Sequence, residues 1–330
     1  MRLEDSFKRQ INYLRLSVTD HCNYKCFYCR VPDDSAGSLS QEFLTPEEIK
    51  RISGIFAELG VRKIRLTGGE PLIRKDITKI VKLLGKLPQL DNLSLSTNAH
   101  LLDKFAKELK NNGLDRVNIS LDTLQNKRFT EITKGGDLSK VLAGIEAAIK
   151  ADLQPIKINM VVMRGMNDDE IENMLDYAIS KNIQLRFIET MPVGSAGAGS
   201  VDNFFPADEI LKRTQKHCNS ALIEINSKHD AGPARIYKVQ GTAVKIGVIS
   251  AMSQHFCDTC NRVRLTARGR LILCLGQENS VSLRDALRSE MTDLEIKNLI
   301  TEAVNKKPER HEFTTSITKV INSKMVSLGG

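Results

Sequence analysis

Hydrophobic and polar positions alternate along the first two-thirds of the chain in a repeating strand-then-helix pattern. Residues 12–18 place Tyr13 and Arg15 between Leu14, Leu16 and Val18, the period of two expected of a strand. Thr45-Pro46-Glu47-Glu48 then opens a helix, with threonine at the cap, proline in the first turn and Glu48 closing a capping box. Ile49, Ile52, Phe56 and Leu59 follow at helical spacing, and Gly60 ends the run. The same alternation predicts strands at 63–67, 92–96, 116–121, 156–163 and 184–189. It predicts helices near 76–87, 101–111, 138–150 and 168–181. Six such units without long gaps predict a parallel sheet with right-handed crossovers. Six falls short of the eight of a closed barrel, so a partial (β/α)6 TIM-type barrel is expected in preference to an open doubly wound sheet.

Beyond residue 200 the alternation fails. The small, flexible run 194–200 reads as a linker. A helix at 204–216, antiparallel strands at 222–225, 235–239 and 244–249, and a hairpin turning at Arg268-Gly269-Arg270 follow. Helices near 283–288 and 293–305 close the chain. The expected division is a barrel over residues 1–200 and an α+β extension over 201–330. The fold class is therefore α/β with an α+β addition, and the terminal Gly329-Gly330 reads by composition as a disordered tail.

Composition narrows the setting. The chain has 330 residues, 41% apolar and 27% charged, which suits a folded protein with a substantial core. No apolar run approaches the roughly 20 residues of a membrane span, and the first ten residues carry acids and no apolar stretch. A cytoplasmic protein is expected, where disulfides are disfavoured. Seven cysteines then need another use. Cys22, Cys26 and Cys29 form C-x3-C-x2-C; Cys257, Cys260 and Cys274 form C-x2-C-x13-C; Cys218 stands alone. Three thiolates on a four-iron cube leave one iron open for a small molecule. Zinc is an alternative for the second group, with His255 as a fourth ligand.

The chemistry collects at one end of the predicted strands. The first cysteine triplet follows the first strand, Gly68-Gly69-Glu70 the second, Ser96-Thr97-Asn98 the third, Ser120 and Asp122 the fourth, and Glu189 and Met191 the sixth. That end is where parallel barrels carry their active sites. No Walker or dinucleotide-binding glycine motif exists. The formal charge of +8 is concentrated: Arg62, Lys63, Arg65, Arg74 and Lys75 crowd the Gly-Gly-Glu loop, and Arg262, Arg264, Arg268 and Arg270 follow the second triplet. Basic residues beside both triplets favour an anionic ligand such as a phosphate. Nucleic acid is disfavoured, because aromatics are only 5% and none interleave with a basic stripe.

Cys22-Asn23-Tyr24-Lys25-Cys26-Phe27-Tyr28-Cys29 resembles the signature of radical S-adenosylmethionine (SAM) enzymes. Leu16-Ser17-Val18-Thr19-Asp20, Thr67-Gly68-Gly69-Glu70-Pro71-Leu72, residues 118–122 and 186–189, the second triplet with Asn261-Arg262-Val263-Arg264, and the Gly-Gly terminus extend the match over nearly the whole chain. Together these resemble the GTP 3′,8-cyclase (MoaA) family, lyases of the first step of molybdenum cofactor synthesis. The resemblance implies a 4Fe–4S cluster on Cys22, Cys26 and Cys29 that binds SAM, and a second 4Fe–4S cluster on Cys257, Cys260 and Cys274 that binds the guanine of GTP. It implies SAM contacts at Tyr28, Gly69, Ser120 and Met191. It implies GTP contacts at Arg15, Lys63, Arg65, Ser96, Lys157, Arg262 and Arg264, with Arg186 a weaker match. Arg262, Arg264, Gly329 and Gly330 are its catalytic candidates, the tail reaching back to the site, which displaces the disordered reading. The implied product is 3′,8-cyclo-7,8-dihydro-GTP, made by a homodimer with an external electron donor and passed to a MoaC-type cyclic pyranopterin monophosphate synthase.

The departures from the family pattern are few. The stretch between Cys29 and Phe43 is short, Arg30 replaces a frequent methionine, His21 a common arginine, and Ala99 a frequent glycine. They are expected to alter loop shape and not the reaction. Two other readings stay open: a radical SAM enzyme that modifies a peptide, and a zinc-stabilised nucleic-acid-binding protein.

Overall fold

The computed structural model describes residues 2–29, 42–193, 202–225, 232–277, 279–311 and 313. The six predicted units are present. Strands β1 (Tyr13–Ser17), β2 (Lys63–Thr67), β3 (Asn92–Thr97), β4 (Arg116–Ser120), β5 (Lys157–Val162) and β6 (Gln184–Glu189) pair in sequence order, all parallel. Helices α1 (Pro46–Glu58), α2 (Ile77–Leu84), α3 (Leu102–Asn111), α4 (Asn126–Thr133), α5 (Leu138–Lys150) and α6 (Ile171–Ser180) connect them. The Thr45 capping box forms in both directions. α4 is a helix that the sequence reading did not predict; it is short, and only Phe129, Ile132 and Thr133 are buried.

Past α7 (Ala207–Cys218), six further strands extend the same sheet. They are β7 (Ile223–Ile225), β8 (Arg235–Lys238), β9 (Lys245–Ile249), β10 (Arg262–Leu265), β11 (Arg270–Ile272) and β12 (Ser280–Ser282). The strand order is β12-β11-β10-β1-β2-β3-β4-β5-β6-β9-β8-β7. β9 joins β6 and β10 joins β1, both parallel, while β7, β8, β11 and β12 pair antiparallel at the two outer edges. An antiparallel region was expected; the structure differs in giving two of its strands to the parallel set. The hairpin turning at Gly269 forms as read, with that glycine at a φ of 72° that suits it and few other residues. Helices α8 (Leu283–Arg288) and α9 (Asp293–Asn305) end the described fold, with Thr292 and Glu295 forming a second capping box.

Strand alternation explains both the core and the site. Leu14, Leu16, Ile64, Leu66 and Leu95 are fully buried and belong to one cluster with Ile52, Phe56, Ile80 and Val81 of the helices. The alternate positions Arg15, Arg65, Ser96, Ser120 and Asn159 line cavities on the other side of the sheet. Among the described residues no helix is long and apolar enough to cross a membrane.

Candidate active site

Two adjoining cavities occupy the concave side. The first, of about 230 Å³, is lined by Cys22, Cys26 and Cys29 together with Tyr28, Gly69, Ser120 and Met191. The second, of about 160 Å³, is lined by Cys257, Cys260 and Cys274 together with Arg15, Arg65, Arg186, Arg262 and Arg264. Ser96, Asn159, Ile188 and Met191 line both. Each cysteine triplet thus faces its own cavity, and the two cavities share a wall. Lys63 and Lys157 line neither. Lys157 is buried beside Asn118 in the β4–β5 pairing, and Lys63 starts β2 in register with Tyr13 and Asn92. Gly329 and Gly330 lie outside the described residues, as do Arg30 and the linker 194–200. Cys218 ends α7 and lines neither cavity.

The first cavity is built from strand ends locked together. Gly69 and Glu70 donate backbone hydrogen bonds to the carbonyls of Thr19 and His21, at 2.8 Å each, so the Gly-Gly-Glu loop lies directly on the cysteine loop. A Cβ on Gly68 would sit 2.5 Å from the Thr19 carbonyl oxygen, and one on Gly69 would overlap that of His21. The buried Glu70 carboxylate accepts from Thr97 Oγ1 and the Asn98 N–H, both at 2.7 Å, and from the Leu72 N–H. Burial nevertheless pushes its pKa up to about 7. The Tyr28 hydroxyl donates to Asp122 Oδ2 at 2.6 Å, and the Val161 N–H donates to Oδ1 at 2.8 Å. Burial raises the Asp122 pKa to about 6 against both bonds.

The thiols suit a cationic cluster. Cys26 is held well above its ordinary pKa by burial and by the negative charges of Asp122, Cys29 and Cys22, a setting that the positive iron–sulfur core of a bound cluster would relieve. The Tyr24 N–H donates to Cys22 Sγ at 3.4 Å. At the second triplet, burial opposes the Cys260 thiolate. The charges of Arg262 and Lys307 and hydrogen bonds from Arg262 outweigh it and bring the pKa down to about 7. His255 packs edge-on against His311, with ring centroids 4.8 Å apart. Among the described residues no three His, Cys, Asp or Glu side chains converge on one ion. Thiolates that each serve a different iron of one cluster do not need to converge on one point.

The second cavity is strongly cationic. Arg15, Arg65, Arg186, Arg262, Arg264 and Lys307 line it, and no described acid does. Burial lowers the Arg65 pKa to about 9, partly offset by Tyr13 and deepened by Arg15, Arg186 and Arg116. Arg264 is likewise held well below its ordinary range, by burial and then by Arg15 and Arg262. Such a wall gains by receiving a polyanion. The sequence reading did not single out Asn159, which stands in register between Ser120 and Arg186 and borders both cavities. Its position on β5, two residues after Lys157, is the signal that strand alternation offered.

A sheet of parallel units with a cysteine triplet after β1 and a Gly-Gly-Glu loop after β2 defines a class: residues 16–178 match the Radical SAM superfamily. Membership implies a 4Fe–4S cluster and SAM. Residues 183–313 match the family Molybdenum Cofactor Synthesis C. The GTP 3′,8-cyclase of Hydrogenovibrio crunogenus is 50% identical over 332 aligned positions, covering 100% of both chains. That of Saccharophagus degradans is 43% identical, covering 99% of this chain and 98% of its own. The chain belongs to the GTP 3′,8-cyclase family. The fold is similar to that of Streptococcus suis SuiB bound to S-adenosylmethionine, with a TM-score of 0.62 at 12% identity, over 90% of this chain and 69% of that one.

Proposed function

We propose that the chain converts GTP to 3′,8-cyclo-7,8-dihydro-GTP, the first step of molybdenum cofactor biosynthesis, using two 4Fe–4S clusters and SAM. One observation carries the reading: two cavities share a wall, one lined by the first cysteine triplet, the other by the second triplet and six cations. When bound, the first cluster and SAM would supply the radical chemistry by which GTP is converted to this product.

The chain's own residues bind, orient and exclude water. Cys22, Cys26 and Cys29 hold the first cluster. Tyr28, kept in place by Asp122, joins Gly69, Ser120 and Met191 in holding SAM. Cys257, Cys260 and Cys274 would hold the second cluster in the cavity that the arginines share. Arg15, Arg65, Arg262 and Arg264, with Lys63 and Lys157 behind them, balance the triphosphate. Paired hydrogen bonds make arginine the apt residue there. Ser96, on the shared wall, stands where the two substrates meet. Arg262 has a double task, since it also supports the thiolate of Cys260. Gly329 and Gly330, outside the described residues, remain the other catalytic candidates of this reading. An external electron donor, a homodimeric state, a cytoplasmic setting and hand-over to a MoaC-type synthase belong to the same reading, as does the division at residue 200.

Anaerobic turnover with GTP, SAM and a reductant tests it. Formation of 5′-deoxyadenosine is expected to depend on GTP, and Cys22→Ser, Cys26→Ser or Cys29→Ser is expected to abolish it. Undiminished formation in those variants, or zinc in place of iron, sinks the reading.

A further inference from the structure

Arg9, near the start of the chain, is buried, 8% exposed, and all three nitrogens of its guanidinium are engaged. Nε donates to Asp5 Oδ2 at 2.6 Å. Nη1 donates to the backbone carbonyls of Cys257 at 2.9 Å and Glu309 at 2.7 Å, and Nη2 to that of Pro308 at 2.6 Å. Asp5 is fixed in turn, because its Oδ1 accepts the backbone N–H groups of Phe7 and Arg9. One side chain therefore joins three stretches far apart in sequence: the N-terminal turn, the loop of the second cysteine triplet, and the segment that leaves α9.

That last segment also reaches the surroundings of the triplet. Lys307 Nζ donates to the carbonyl of Leu273, the residue before Cys274. His311 lines the second cavity together with Cys257. The His311 ring packs on His255 and Phe256, on the chain just before Cys257. Residues 307–311 thus brace both ends of the second triplet, and Arg9 holds the middle of that brace by two carbonyls while gripping Cys257 directly. A guanidinium suits the task. Its planar fork serves three carbonyls and one carboxylate at fixed angles, and an ammonium group has neither the span nor the number of donors.

We propose that Arg9, held by Asp5, is a positioning residue for the second cluster: it sets the spacing of Cys257 against Cys274 through the 307–311 segment. The inference rests on the second triplet holding a cluster, as put forward above. Arg9 lines neither cavity and touches neither substrate. Its loss acts on the second cluster and leaves the first triplet, which Arg9 does not contact, in place.

The experiment compares anaerobically reconstituted wild type with Arg9→Lys, which keeps the charge, and Asp5→Asn, which keeps Arg9 but loosens its anchor. Four quantities are read: iron per chain, the change that a GTP titration produces in the electron paramagnetic resonance spectrum, SAM binding, and amide hydrogen exchange over residues 257–260 and 306–311 against β2–β4. Wild type is expected to carry about eight irons and to respond to GTP. Arg9→Lys is expected to bind GTP at the second cluster about tenfold or more weakly, the usual scale when a support behind metal ligands is lost. Exchange is expected to rise in those two segments and not in β2–β4, and SAM binding to stay within about twofold of wild type, well below that tenfold loss. Asp5→Asn is expected to show a smaller loss of the same kind. Wild-type iron, GTP response and exchange in Arg9→Lys overturn the inference. So does an equal loss of SAM binding, which marks a general stabiliser. A wild type with about four irons and no GTP response overturns the second-cluster reading instead.

Discussion

Asp122 shows how one carboxyl serves the site through its protonation. Held at about 6 in the folded chain against an ordinary 3.8, it binds its proton more tightly folded than unfolded. Its favourable contribution is therefore full below the ordinary value and is lost as pH rises toward the folded one. Asp122→Asn removes that dependence. Thermal melts of the cluster-free chain from about pH 4 to about pH 7 are expected to fall less steeply for the variant than for wild type; matching slopes would mean that the carboxyl titrates normally. Above that window the carboxylate accepts from both Tyr28 and Val161, the state in which Tyr28 is fixed. Residue chemistry at this level was only partly legible. Ser120, Asp122 and the first triplet were legible from their place after strands and the second triplet from its spacing, whereas Asn159 and Arg9 needed coordinates. An arginine nine residues into a chain gives no sign that it reaches residues 257, 308 and 309.

Loops at strand ends carry the geometry, and glycine decides two of them. Gly69→Ala would drive a Cβ into the backbone of His21, which cannot yield without moving the cysteine loop. A Cβ on Gly85, at the end of α2, would also be crowded, 2.5 Å from the Asn112 carbonyl oxygen, but Gly85 borders neither cavity. Both substitutions are expected to cost about 1–3 kcal/mol of stability. Only Gly69→Ala is expected to reduce iron at the first triplet and SAM binding. Urea midpoints with iron assay and SAM titration separate the two, and SAM binding lost equally in both would refute the distinction. Ala99, where the family often has glycine, takes a φ of 60°, the left-handed conformation that glycine favours, while fully buried. The alanine bears about 1–2 kcal/mol of strain there. Elements with strong period and caps, such as α1, α5 and α9, were legible almost to the residue. α4 was not, because eight residues with three buried side chains carry too little periodicity.

At the scale of the whole molecule, the excess charge is turned inward. Six cations and no described acid line one cavity, so much of what the composition reports as a basic protein is a binding wall and not an outer face. Arg264 is the cleanest probe, since it is buried in that wall and Arg262 also supports Cys260. Arg264→Ala is expected to cost about 2–5 kcal/mol in GTP binding with iron content unchanged. Equilibrium binding under anaerobic conditions measures the loss, and parallel loss of iron would show that the residue serves the cluster. The sequence could place the charge near the triplets but not its direction, because β9 and β10 join the parallel set only through pairings that no local pattern encodes.

The pairing of β1 with β10 has a consequence for biogenesis. Tyr13 is matched to Arg262, a separation of 249 residues, while its other neighbour, Lys63, lies only 50 away. During synthesis one edge of β1 waits, its peptide groups unmatched, until four-fifths of the chain has emerged. An exposed edge of that kind invites pairing with other chains. Because Arg15 and Arg264 face each other across this same late seam, no nascent fragment ending before residue 264 can bring these two arginines of the cationic wall side by side.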